Sequence, residues 1–315
     1  MGCYPLSFNA NVSYHNLFKI ASIFLFLDIL LLKRYIFLGD ILKNYTDLAV
    51  ECYESAEKTL IDGVKVTQTH DVTEVTVLNE NGARAIGKPI GRYLTYNAAS
   101  IPDTPDLIED GLNSLTSLLK SMLPEKMDSA LVVGLGNTDI TADALGPRVS
   151  SKIIATRHVK GINNELFRDF FSVASVATGV IGNTGIESAE LVKGIVEQIK
   201  PSVVITVDAL AASSADRLGT TVQLSDTGIS PGSGVGNHRC EISRSTLNVP
   251  VIAIGIPTVV STSVFGAGNT RDDMFVTPRE IDKVIEHGSR LIGMAINSCL
   301  QPNISREDLY SLSGI

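Results

Sequence analysis

Apolar positions follow two rhythms along this chain. Leu107, Leu112, Leu115, Leu118 and Leu119 recur at helical spacing and predict an amphipathic helix. Beyond residue 129, short, largely apolar runs take over: ALVV at 130–133, VASVA at 173–177, VVITV at 203–207 and VIAIGI at 251–256. Runs with no polar alternation suit parallel strands covered on both faces. Helix-period segments at 187–199 and 278–297 fall among them. This rhythm predicts an α/β fold, with a mostly parallel central sheet and helices on both faces. The part before it reads differently. Residues 44–60 are polar and helix-compatible, and Val72, Val75 and Val77 mark an extended run. That run leads to Asn81-Gly82, a tight-turn signal. A second extended run, 85–98, is broken by Gly87, Pro89 and Gly91. A smaller β-rich portion over about 48–104, packed on the α/β core, is expected.

The most apolar stretch lies at 17–42. Its longest run, 20–32, is 13 residues and contains Asp28. A spanning helix needs about 20 apolar residues. Residues 1–16 hold no Lys or Arg, and no A-x-A site follows, so the secretory pattern is not met. Leu6 stands where a myristoylation signal needs Ser or Thr. The expectation is a dispensable leader, either removed or translated from upstream of the true start. A weakly membrane-associating helix is the alternative.

The 34 Asp and Glu against 26 Lys and Arg give a net charge of −8. That argues against direct nucleic-acid binding through phosphate contacts. Cys3, Cys52, Cys240 and Cys299 form no CxxC pair and no zinc-finger spacing, which reads as reduced thiols. Cys240 stands two residues from His238, and residues two apart rarely face each other, which weakens a Cys/His nucleophile. There is no HExxH and no GxSxG.

Four segments can carry chemistry. GLGN at 134–137 follows a strand and leads to Asp143. A dinucleotide fingerprint would need Gly at position 139, which is Asp139, so no nucleotide cofactor is expected. Thr141 is placed to cap a helix with Asp143 in its first turn, where the dipole favours the ionised acid. Asp208 closes the run 203–207, at the strand edge where α/β sheets bind ligands. Two carboxylates on one edge can divide labour, one protonated and one ionised. They can equally hold a divalent metal with a third ligand. The loop 227–237 carries Gly228, Gly232, Gly234 and Gly236, and suits clamping a peptide or stabilising an oxyanion. The loop 178–187 carries Gly182 and Gly185, with Glu187 placed to cap the next helix.

These segments, in this order, resemble the germination protease family of spore-forming bacteria: GLGNTDITADALGP at 134–147, residues 180–200, VDALAA at 207–212, DTGISPGSGVGN at 226–237, PVIAIGIPTVV at 250–260 and VTPREID at 276–282. The resemblance covers about 44–302. It implies an endopeptidase that hydrolyses small acid-soluble spore proteins during germination, in the cytoplasm of the forespore or spore core. It implies a fold like that of the hydrogenase-maturation endopeptidases. Asp143 and Asp208 take the places of the catalytic acids, with an aspartic-type acid-pair mechanism, no metal and no cofactor. The loop residues Gly136, Asn137, Gly182, Gly185, Gly232, Gly234 and Gly236 are the expected substrate contacts. The resemblance further implies a homotetramer made as a self-processing zymogen. Asn44-Tyr-Thr-Asp-Leu-Ala49 matches the family's Arg-Thr-Asp-Leu-Ala processing segment except at Tyr45, which puts the cut between Asp47 and Leu48. The leader is then 1–47 and the peptidase domain 48–315, with no membrane association after removal. Thr178, Asn183 and Ser213 also depart from the family's usual Pro, Gln and Arg. A metal-dependent endopeptidase of hydrogenase-maturation type, and an inactive paralogue that binds spore proteins, are the alternatives.

Overall fold

The largely apolar runs form the parallel half of a single sheet. Strands β4 (Ser129–Leu135), β5 (Ser172–Gly179), β6 (Val203–Ala212) and β8 (Val251–Ser261) lie in the order β8-β6-β4-β5, every neighbouring pair parallel. The computed structural model describes residues 46–56, 61–98, 101, 105–160, 162, 168–237, 239–265 and 274–314. All of them belong to one unit, Tyr45–Ile315. The hydrophobic leader lies outside the described residues.

In β4, residues 130–135 are all buried because alternate side chains meet different layers. Ala130 and Val132 join the core beneath α3 (Pro105–Met122) and α8 (Ile281–Leu300). Leu131, Val133 and Leu135 pack on the opposite face, with Val192 and Val196 of α6 (Ser188–Ile199). The helical leucines do what their spacing predicts: Leu112, Leu115 and Leu119 are fully buried on one face of α3. Each contributes about 1.5–3 kcal/mol of apolar burial. The short helices α4 (Leu145–Ser150), α5 (Ile181–Thr184), α7 (Arg244–Leu247) and α9 (Arg306–Ser313) complete this part.

The β-rich portion is present as an extension of the same sheet. Strands β1 (Val64–Thr69), β2 (Val72–Val77) and β3 (Gly91–Asn97) run antiparallel, and β3 pairs with β7 (Thr221–Ser225). β7 in turn lies antiparallel to β8. Among the described residues the sheet has nine strands, in the order β1-β2-β3-β7-β8-β6-β4-β5, with β9 (Phe275–Val276) beside the end of β8. It is therefore mixed, parallel on one side of β8 and antiparallel on the other. A third apolar cluster covers the antiparallel half: Leu48 and α1 (Ala49–Glu54) pack on Val75, Val77, Tyr93 and Leu210.

Asn81-Gly82 does not make the expected hairpin turn. It lies inside α2 (Glu80–Ile86), because Asn79 caps that helix: its Oδ1 accepts from the N–H groups of Asn81 and Gly82 at 2.9 and 3.0 Å. Gly82 is needed for close approach, since a Cβ there would lie 2.2 Å from the Gly63 carbonyl oxygen. Among the described residues, no helix is long and apolar enough to cross a membrane.

Candidate active site

Where β4 ends, the chain turns at Gly136, whose φ is +115°. A Cβ there would lie 2.1 Å from the Asp143 carbonyl oxygen and 3.0 Å from its Oδ1, so only glycine fits. The Asn137 N–H donates to the same carbonyl at 3.0 Å, and Asn137 Oδ1 accepts from the Asp139 N–H at 3.0 Å. These bonds fold 137–143 back over the strand end. Asp143 closes a 3₁₀ turn, Thr141–Asp143, and α4 starts only at Leu145. The turn has Ile140 at its cap with no side-chain hydrogen bond, so the predicted Thr141 cap is not formed. Burial, and not a helix dipole, governs the acid. Desolvation pushes the Asp143 carboxyl up to about 6, partly countered by the Asn137 N–H.

Asp208 reaches the same place from the neighbouring strand. The last β4–β6 pair is Gly134 with Val207, whereas β6 continues beside β8 to Ala212. Asp208 is thus the first residue of β6 with no β4 neighbour, not the last residue of its strand as the sequence suggested. Gly146 draws the turn onto this corner: a Cβ there would meet the carbonyl oxygens of Leu135 at 2.2 Å and Val207 at 2.4 Å. Asp208 is 5% exposed, and its Oδ1 accepts from the Ala209 N–H at 2.9 Å. Burial raises its pKa well above the ordinary carboxylate value, and the charges of Asp143 and Asp47 raise it further. Both environments favour the protonated carboxyl, and the added charges favour it more strongly at Asp208 than at Asp143.

Both carboxylates line one cleft of about 450 Å³. Of the predicted loop residues, Gly136, Asn137, Gly182 and Gly232 also line it, while Gly185, Gly234 and Gly236 do not. Gly185 ends α5 in the left-handed region, and Gly232 and Gly236 flank the 3₁₀ turn Ser233–Val235 in the same conformation. Asn183 Nδ2 donates to Asn137 Oδ1 at 3.3 Å, joining the two loops. Glu187 makes no capping bond with its side chain; it pairs with Arg239 at 3.4 Å, and both line the cleft. Arg239 was missed from the sequence, where a lone arginine beyond a glycine loop carries no periodic signal. Cys240 is exposed in the cleft, and His238 lies outside the described residues. Among the described residues, no three His, Cys, Asp or Glu side chains gather as metal ligands.

Besides Asp143, Asp208 and the Arg239-paired Glu187, the cleft is lined by one more carboxylate, Asp47. Its N–H donates to the Ala211 carbonyl at 2.9 Å, and its Oδ2 accepts from the Ala211 N–H at 2.9 Å. Its Oδ1 accepts from Ser233 Oγ at 2.7 Å. Gly234 permits this contact, because a Cβ there would lie 2.3 Å from Asp47 Oδ2. Leu48 points away from the cleft and is fully buried in the third cluster.

A crystal structure of a [NiFe] hydrogenase maturation protease, HycI from Thermococcus kodakarensis KOD1, covers 58% of this chain and 98% of its own. It is 18% identical with a TM-score of 0.36, and at that score it carries no further argument. The sequence comparisons are far stronger. The model of the germination protease family matches residues 44–272, which include Asp47, Asp143, Glu187 and Asp208 of the cleft. A germination protease of Clostridium perfringens (strain ATCC 13124) is 39% identical over 84% of this chain and 97% of its own length. That of Caldanaerobacter subterraneus subsp. tengcongensis is 38% identical over 85% and 97%. With the match running from the buried segment at Asp47 through both cleft loops, the chain belongs to the germination protease family.

Proposed function

We propose that Asp143 and Asp208 are the catalytic carboxylates with which this endopeptidase hydrolyses small acid-soluble spore proteins during germination. The observation that carries this reading is the pair itself: a buried acid, Asp208, and a half-buried one, Asp143, line one cleft, and desolvation raises both carboxyls, Asp143 to about 6 and Asp208 well above the ordinary value. Ionised Asp143 takes a proton from water as the water oxygen adds to the scissile carbonyl carbon. Asp208 donates its proton to the carbonyl oxygen as the tetrahedral intermediate forms; on collapse a hydroxyl of the intermediate returns a proton to Asp208, and Asp143 passes its proton to the nitrogen as the C–N bond breaks. Gly136, Asn137, Gly182 and Gly232 bound the space for an extended peptide. Gly234 acts indirectly, by admitting Asp47.

The same reading includes self-processing between Asp47 and Leu48, release of residues 1–47, a homotetrameric assembly and residence in the spore core. The family pattern around Asp47 supports the cut, and the seat of Asp47 in the cleft supports a form that waits for it. The test is direct. Full-length protein is held at mildly acidic pH, its new N-terminus is sequenced, and it is then incubated with a purified small acid-soluble spore protein. Cleavage of the spore protein after the appearance of Leu48 is expected. Full-length protein that already cleaves the substrate contradicts the zymogen, and processed protein that never does contradicts the peptidase reading.

A further inference from the structure

The peptide unit between Asp47 and Leu48 is held at both of its polar atoms. The Asp47 carbonyl oxygen accepts two hydrogen bonds, from Lys88 Nζ at 3.0 Å and from Gln223 Nε2 at 3.0 Å. The same Gln223 amide reaches past the bond, since its Oε1 accepts from the Ala49 N–H at 2.7 Å. Gln223 is 7% exposed, and its strand β7 is paired on both sides, to Thr95 and to Gly255. Lys88 Nζ also donates to the Thr46 carbonyl at 3.3 Å. On the nitrogen side, the Leu48 N–H donates to Thr46 Oγ1 at 3.0 Å, and that hydroxyl donates to Glu51. Glu51 is fixed in turn by the N–H groups of Ser213 and Ser214, at 2.6 and 3.0 Å.

Two fixed donors, one of them cationic, are what a developing oxyanion needs. We propose that Lys88 and Gln223 form the oxyanion-stabilising pair for cleavage between Asp47 and Leu48, an inference that rests on the processing site proposed above. Water adds to the Asp47 carbonyl carbon from the cleft, which Asp47 shares with Asp143 and Asp208. A carboxylate takes one proton from that water. The carbonyl electron pair moves onto oxygen, where the Lys88 ammonium and the Gln223 amide meet it. The intermediate collapses, the C–N bond breaks, the proton passes to the Leu48 nitrogen, and the products are a carboxylic acid at Asp47 and an amine at Leu48. The Asp47 side chain is tied to Ala211 and Ser233 and stays out of the reaction. Neither Lys88 nor Gln223 lines the cleft, so the pair serves this bond and not bonds of other proteins.

The experiment follows the appearance of N-terminal Leu48 by mass spectrometry at mildly acidic pH, using full-length wild type, Lys88→Met, Lys88→Arg and Gln223→Met, with the thermal midpoint of each. Lys88→Met and Gln223→Met should process about a hundredfold more slowly, and Lys88→Arg should stay within about tenfold of wild type. Lys88 is half-buried, so Lys88→Met tests the idea even where Gln223→Met fails to fold. Wild type that yields Leu48 while Lys88→Met keeps pace with it overturns the pair and leaves the processing site standing. A wild-type terminus elsewhere overturns both. Equal slowing in Lys88→Met and Lys88→Arg, with midpoints that fall in parallel, assigns these contacts to holding the segment and overturns the proposal.

Discussion

Burial sets the properties of the two acids more than any hydrogen-bonded partner does. Asp143 has its pKa raised to about 6 by desolvation, so between about pH 4 and 6 the folded chain keeps a proton that the unfolded chain has lost. Its contribution to stability is therefore unfavourable and grows as pH rises through that window. Asp143→Asn should stabilise the fold by about 1–3 kcal/mol at pH 7, with the gain vanishing below pH 4. Thermal midpoints of variant and wild type across pH 4–7 check this, and a constant difference would mean that burial is not the cause. Activity should carry the same signature. The kcat/KM profile should rise through about pH 6 as Asp143 ionises, and fall only where Asp208 loses its proton. A profile flat from pH 4 to 7 would remove Asp143 from the role of base. Both acids stood out in the sequence because each follows an apolar run. Arg239, Ser233, Lys88 and Gln223 did not, because each reaches its partner from a separate loop or strand and leaves no local pattern.

The cleft exists because β6 outruns β4, which leaves Asp208 without a neighbour on one side. Residue 47 then pairs with the freed edge at Ala211, and the turn Ser233–Val235 closes over it. Gly234→Ala would drive a methyl group into Asp47 Oδ2 and the Ala211 side chain, contacts of 2.3 and 2.7 Å. That variant should release the segment around Asp47 and make it several-fold more sensitive to an added protease, by limited proteolysis with mass mapping. Unchanged sensitivity would show that Gly234 does not hold the segment. The parallel strands could be read in advance because β4, β6 and β8 are buried along nearly their whole length and so carry largely apolar runs, while β5, at the sheet edge, is only partly buried. Asn81-Gly82 misled because the same residues suit a hairpin and a capped helix start, and Asn79 decides for the helix. The pairing of β3 with β7 was out of reach, since Tyr93 and Ser225 are far apart in sequence and nothing local to either names the other.

One mixed sheet carries both the substrate cleft and the segment that lies in it. The chain carries a net charge of −8, and of the two proposed catalytic acids Asp208 is buried and Asp143 half-buried. The proposed acid pair works without a metal, whereas a metal-dependent mechanism needs a third ligand beside the two acids. On that proposal chelation with EDTA should leave cleavage unchanged, whereas stoichiometric zinc that tracks activity would replace the acid pair with a metal centre. The central claim is that Asp143 and Asp208 do the cutting, and cleavage of a purified small acid-soluble spore protein by Asp143→Asn and Asp208→Asn tests it most directly. Each variant, folded by circular dichroism and supplied already processed, should lose at least about a hundredfold in cleavage rate. A folded variant of either kind that cleaves at close to the wild-type rate would contradict the account.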